Sequence, residues 1–357
     1  MPQRDTWRSS QEGRAIENLR FAFFGAGFWA RFQMAAWREL DGVECVALFN
    51  RTRAKGESFA AEFGIPRVYD DAEELLAREQ VDFIDLCTNP FTLPDFVRLS
   101  AAHGVPVISQ KPMAPSVAIG EELVRTCAEA GVPYYVHENW RWQPQLRQLK
   151  SVLDSGVIGE PFRARITMVS GFPVFANEPT LSDLEEFILT DMGTHILDVA
   201  RFYFGEPEAV YCQTHRVHPN IKGEDIATVM LLANGGRTTV TCEMGYPENY
   251  YERDAFPQTL VFAEGCEGTA EVGADYWLRV TTSDGTHSMR HPPVSYRWAD
   301  PDYLVVHASI VPCHASFLRA FRGEGEAETT GADNLETLRL VYACYESARA
   351  GQAVRLR

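Results

Sequence analysis

In VPVISQKPMAP (105–115) an apolar run ends at Gln110, Lys111 and Pro112, which places a lysine at the tip of what reads as a buried strand. A lysine held there can donate hydrogen bonds to a substrate oxygen. Partial burial or a neighbouring positive charge would lower its pKa and permit proton transfer. The same pattern also fits a rim lysine that merely ends its strand. A second group lies in LTDMGTHILDVARFYFG (189–205). At about 100° per residue, Asp191 and His195 fall about 40° apart on one helix face, with Asp198 near it. A histidine among carboxylates can be oriented and made more basic. It can equally be a structural histidine satisfied by its helix neighbours. Met192, Ile196, Val199 and Phe202 form an apolar stripe beside it.

A third group suggests a ligand. FFGAGFWA gives Gly25-x-Gly27-x-x-Ala30 directly after an apolar run and at the head of a helical one. Glycines there let the backbone turn tightly and approach a pyrophosphate at the helix N-terminus. Phe28 and Trp29, in that first turn, are candidate cofactor neighbours. The next strand ends in FNRTR (49–53). An NAD site usually has Asp or Glu at this point, on the ribose 2'-hydroxyl. Asn50, Arg51, Thr52 and Arg53 offer no carboxylate and two cations, which allows NADP and slightly favours it over NAD. The third strand end, CTNPFTLP, would bring Thr88, Asn89 and Pro90 to the cofactor. Ligands of an open parallel sheet bind beyond its carboxyl ends, where Gln110 and Lys111 would also lie.

These residues need a scaffold, and the N-terminal third supplies its rhythm. Apolar runs of five to eight residues alternate with helical patterns from LRFAFFG through VPYYVH. That implies a parallel sheet with helices on both faces. RAKGESFAAEFG should end on Gly64 as a C-cap, and Pro94 should sit in the first turn of its helix. From about residue 160 the pattern turns to short β-branched and aromatic runs with partial alternation, interrupted by one strong helix near 184–204. This predicts a mostly antiparallel sheet, closed by a last helix over NLETLRLVYACYESARAG. The expected division is a polar lead-in at 1–18, a dinucleotide-binding domain at 19–135, and an α+β substrate-binding and oligomerisation domain at 136–357. SGFPVFANEPTLSDLEEF (170–187) has no period and reads as a substrate-covering loop.

Composition excludes several functions. The chain has 357 residues and a formal net charge of −16, without a long Lys/Arg run, which argues against nucleic acid or an anionic membrane as partner. No run approaches the roughly 18 apolar residues of a membrane span. The first twenty residues lack the apolar core of a secretory signal. Eight cysteines without a C-x-x-C pair read as free thiols of a reducing cytoplasm. None of the nine histidines falls in an H-x-x-x-H pair with a carboxylate helper, which gives no expectation of a metal site.

Taken in order, GxGxxA, Thr88-x-Pro90, Gln110-Lys111-Pro112 and the Asp191/His195/Asp198 helix resemble the Gfo/Idh/MocA oxidoreductases over residues 19–350. The resemblance implies a Rossmann domain followed by an α+β domain with an open, mostly antiparallel sheet, through which members form homodimers or homotetramers. It implies an NAD(P) cofactor and a sugar or polyol substrate, in some members a small pentose. The family's catalytic lysine, aspartate and histidine match Lys111, Asp191 and His195. Asn139 and Arg141, in VHENWRWQP, match cofactor- or substrate-facing positions. Trp140 and Trp142 there are either a sugar platform or core. Two departures stand out: Gln110 replaces the usual glutamate, and the histidine common just after T-x-P is absent. Two other activities found in the family stay open, a non-catalytic sugar sensor and an NAD-dependent glycoside hydrolase working by transient oxidation.

Overall fold

The computed structural model describes residues 18–247 and 258–356. The expected lead-in lies outside the described residues, apart from its last position. The chain forms two compact units. One runs to Glu138 and adds Ile310–Leu338; the other is Asn139–Ser309 with the residues from Arg339 onward.

The first unit alternates strand and helix: β1 (Leu19–Phe24), α1 (Phe28–Trp37), β2 (Val43–Phe49), α2 (Arg53–Phe63), β3 (Val68–Tyr69), α3 (Ala72–Arg78), β4 (Phe83–Leu86), α4 (Leu93–Ala102), β5 (Val107–Gln110), α5 (Val117–Ala130) and β6 (Tyr134–His137). The six strands are parallel in the order β3-β2-β1-β4-β5-β6. This is the doubly wound dinucleotide-binding arrangement, with its switch point between β1 and β4. Near-continuous apolar strands follow from it: Phe21, Phe23, Phe24 and Phe83 are all buried, because helices cover both sheet faces. Gly64 caps α2 in the left-handed conformation, and Pro94 opens α4. Asp71 and Ser116 cap α3 and α5 by accepting from the Glu74 and Ile119 amides.

The second unit is built on a nine-stranded sheet of order β14-β13-β12-β11-β7-β10-β9-β8-β15. Its strands are β7 (Pro161–Val169), β8 (Ala209–His215), β9 (Ile226–Ala233), β10 (Thr238–Gly245), β11 (Leu260–Gly265), β12 (Gly268–Val272), β13 (Trp277–Thr282), β14 (Gly285–Arg290) and β15 (Val354–Arg355). Among the described residues of this sheet only the central β7–β10 pair is parallel. The other pairs are antiparallel, as the alternation implies. Ile166, Met168, Val229, Leu231, Val240 and Cys242 line one buried face. Helix α6 (Pro144–Asp154) precedes the sheet, and α7 (Ile188–Phe204) packs on it.

Four expectations need correction. The second unit is not continuous to the C-terminus. Helices α8 (Leu304–Arg322) and α9 (Gly331–Ala350) each belong partly to both units. The reason is aromatic packing: Phe321 stacks on Phe83 at 4.7 Å and Phe317 on Tyr135 at 5.4 Å, both within the first unit. Second, α8 itself is unexpected, since its β-branched residues and Pro312 obscure the helical pattern. Third, Pro301–Arg322 is long and apolar enough to cross a membrane by length and composition, where no such run was expected; 78% of its most apolar stretch is buried inside the protein, as in a core helix. Fourth, the 170–187 segment is not without local structure. It holds a helical turn at Val174–Asn177 and a 3-10 turn at Pro179–Asp183.

Candidate active site

Within the first unit, the ends of β1 and β4 meet at the switch point. Gly25 has φ +118, and a Cβ there would lie 2.1 Å from the Cys87 carbonyl oxygen. Only glycine allows this close approach. Gly27 begins α1 with nothing within 4 Å of a would-be Cβ. No side chain caps that helix, and no acidic residue stands in its first turn. A helix start without a side-chain cap and with an open approach is what an anionic phosphate needs. Thr88 Oγ1 is buried at the same edge without a hydrogen-bond partner. The cradle, the uncapped helix and the orphan hydroxyl together fit a dinucleotide.

Other first-unit candidates lie around it. Phe28 is exposed, Trp29 and Pro90 are half-buried, and Asn89 is exposed with its Oδ1 accepting from the Phe91 amide. Asn50 directly follows β2 and donates to the Thr52 carbonyl. Arg51 is exposed, whereas Arg53 pairs with Glu57 at 3.0 Å and Asp70 at 3.5 Å. Lys111 is half-buried directly after β5, and its peptide bond to Pro112 is cis. Gln110 Oε1 accepts from the Lys111 amide at 3.3 Å.

In the second unit, α7 carries Asp191 and His195. Glu224 caps this helix: its Oε1 accepts from the Phe187 and Ile188 amides and from Tyr345 Oη. Asp191, in the first turn, is half-buried and accepts from Tyr246 Oη at 2.8 Å. Burial first, then the Asp191 charge, holds the Tyr246 phenol well above its usual range, so it stays a donor. His195 is buried, with the Trp140 ring stacked on it at 4.3 Å and 19°. Trp140 is itself fixed by donating from Nε1 to Thr259 Oγ1 at 2.7 Å. Tyr246, Trp140 and Thr259 were not singled out as partners of this pair. Only the alternation placing Tyr246 just past β10 hinted at its inward position.

The structure redirects three sequence candidates. Arg141 is buried, and its guanidinium grips Asp198 through two hydrogen bonds of 2.8 and 2.5 Å. Asn139 is buried and donates to the Val306 carbonyl and to Ser309 Oγ at 2.7 Å. Asp198 therefore answers Arg141 rather than extending the Asp191–His195 face, while Asn139 bonds to Val306 and Ser309 of α8. Trp142 is core, with Arg147 over its ring at 4.5 Å. Among the described residues no group of three or more His, Cys, Asp or Glu could hold a metal ion.

The family model of oxidoreductases with an NAD-binding Rossmann fold matches residues 19–138, and the GFO/IDH/MocA C-terminal domain model matches 146–281. A D-apiose dehydrogenase of Paraburkholderia graminis is 41% identical over 346 residues, spanning 96% of this chain and 91% of that protein. This chain belongs to the Gfo/Idh/MocA family. Another relative, a D-apiose dehydrogenase of Rhizobium rhizogenes, is 39% identical, covering 95% of this chain and 98% of that protein. A crystal structure of an oxidoreductase from Agrobacterium radiobacter, in complex with NAD+, L-tartaric acid and magnesium, superposes with a TM-score of 0.92 at 38% identity. It covers 95% of this chain and 98% of that one. This Gfo/Idh/MocA chain is accordingly an NAD(P)-dependent oxidoreductase acting on CH–OH groups.

Proposed function

We propose that this enzyme is a sugar dehydrogenase whose substrate is a small branched pentose of the apiose kind. The observation that carries the substrate is the near full-length likeness to two D-apiose dehydrogenases. The site residues are assigned by their chemistry. His195 takes the hydroxyl proton, Asp191 orients and charge-balances its imidazole, and Lys111 serves as a hydrogen-bond donor to the sugar. A bound nicotinamide dinucleotide would supply the hydride acceptor for the sugar carbon that bears this hydroxyl. Gly25, Gly27 and Thr88 would hold the dinucleotide. Tyr246 keeps the Asp191 carboxylate in place, and the Trp140 plane limits how far the His195 ring can turn. The intact set of three favours turnover over a silent sensor.

Cofactor choice turns on the end of β2. Arg53 is engaged by Glu57 and Asp70, which leaves Arg51 as the cation for a 2'-phosphate. The lack of a carboxylate at Asn50 keeps NADP slightly ahead of NAD. Self-association would use the open face of the nine-stranded sheet, where Met230 and Leu232 are exposed. All eight cysteines are free thiols, in keeping with a cytoplasmic enzyme. Absorbance at 340 nm, followed with apiose, other pentoses and polyols and with either cofactor, tests the reading. Net cofactor reduction is expected with a branched pentose. Sugar binding without reduction would favour a sensor, and bond cleavage without net reduction a glycoside hydrolase. His195→Ala and Lys111→Ala should each lower turnover by about 100- to 10,000-fold. Near-normal turnover in either removes that residue from the mechanism.

A further inference from the structure

A buried hydrogen-bond chain runs from the middle of the first unit's sheet to the strand end that carries Lys111. Asp85, on β4, is fully buried and accepts from Trp37 Nε1 and Gln33 Nε2, each at 2.7 Å. Gln33, also fully buried, has its Oε1 turned to Gln110 Nε2 at 2.6 Å. Gln110 Nε2 lies 3.2 Å from His137 Nδ1, so its second hydrogen has an acceptor as well. That leaves Gln110 Oε1 for the Lys111 amide at 3.3 Å.

The direction of this chain is set at one end. At about pH 8 the ionised carboxylate only accepts, so it turns the Gln33 amide nitrogen inward and the Gln33 oxygen outward. The Gln33 oxygen then draws the Gln110 nitrogen, and the Gln110 oxygen is left facing Lys111. Glutamine at position 110 is the residue this polarity demands: a glutamate would set one acceptor against another.

We propose that Asp85 is a positioning residue for Lys111, acting through Gln33 and Gln110 to fix the backbone at the tip of β5. Its effect on turnover rests on the catalytic role assigned to Lys111 above; its effect on the Lys111 backbone does not.

The test is a polarity reversal and its repair, at about pH 8. In Asp85→Asn the side chain keeps its size. Trp37 can only donate, so the new amide oxygen must face it and the new amide nitrogen faces Gln33. Gln33 then flips, its nitrogen meets Gln110, and Gln110 Oε1 turns away from Lys111. Hydrogen exchange at the Lys111 amide should quicken about threefold, as for one ordinary hydrogen bond lost. kcat should fall about tenfold through misplacement of the lysine, with dinucleotide Kd within about twofold. Adding Gln33→Glu to Asp85→Asn restores the polarity, since the new carboxylate accepts from the side-chain amide at position 85 on one side and from Gln110 on the other. Exchange and kcat should both return to near wild type. A merely structural role for Asp85 predicts no such repair. Wild-type exchange in Asp85→Asn, or a double variant no better than the single, overturns the proposal. Should Asp85→Asn fail to fold, the double variant alone decides, by matching wild-type exchange or not. Full turnover in Lys111→Ala would sink the catalytic assignment of Lys111 while leaving the exchange result to judge Asp85.

Discussion

Asp85 also makes the stability of the protein depend on pH in a way that can be isolated. Burial raises its carboxyl from 3.8 to about 7, against the lowering effect of the Trp37 and Gln33 hydrogen bonds. Because the folded value lies above the unfolded one, the fold favours the protonated form. The contribution is whole below about 3.8, declines as pH rises, and is gone once pH has passed about 7. A rise of about three pH units, at about 1.4 kcal/mol each, gives about 4 kcal/mol in all. Integrating between about pH 5.5 and about pH 8 leaves about 2 kcal/mol of that loss inside a range where the protein can be handled. Urea unfolding of wild type and Asp85→Asn at both pH values measures it, because the difference between the variants cancels every other titrating group. Relative to wild type, Asp85→Asn should gain about 2 kcal/mol between the lower and the higher pH. A difference that stays flat refutes the reasoning: Trp37 and Gln33 would then outweigh burial, and the carboxylate would be ionised throughout.

Gly25→Ala should weaken dinucleotide binding more than about tenfold and cost about 2 kcal/mol of stability, because its Cβ meets backbone, not a side chain that can move away; fluorescence titration and a melting curve check both. Asn50→Asp should shift preference from NADP to NAD, since a carboxylate accepts from the 2'-hydroxyl and repels a 2'-phosphate. Unchanged Kd values for both cofactors would remove this strand end as the discriminator. Tyr246→Phe should lower kcat about tenfold with dinucleotide Kd unchanged, as Asp191 loses a charge-assisted donor; at a half-buried carboxylate the stability loss should be only about 1 kcal/mol. Wild-type kcat in that variant would show that Asp191 needs no such anchor.

The alternating domain was readable because each of its signals is local. Apolar strands such as LRFAFF are covered on both faces, and a glycine that caps a helix or meets a backbone does so within a few residues of its strand. The antiparallel strands were readable for the same reason, through alternation. What was missed is non-local. The sequence LVVHASIVPCHASFLRAFR looks strand-like around its β-branched residues, and its helix is specified by where Phe317 and Phe321 must pack, on Tyr135 and Phe83 far earlier in the chain. The polar strand Gly285–Arg290 is exposed along its whole length, so it carries no alternation to read.

The same distinction governs the site. Spacing along one helix identified Asp191 and His195 together, because four residues fix their relative direction whatever the rest of the chain does. It could not say that Asp198 faces Arg141, since that pair is 57 residues apart and depends on how the segment after β6 packs. Arg141 and Asn139 were expected to face cofactor or substrate because they match positions that do so in the family. Their burial turns them inward instead, where each must be satisfied by the protein: Arg141 by a carboxylate, Asn139 by Ser309 and a carbonyl. Gln110 shows the converse. In the sequence it is one uncharged residue beside a lysine. Its meaning lies in Gln33 and Asp85, 77 and 25 positions away in the chain, which dictate the way its amide points.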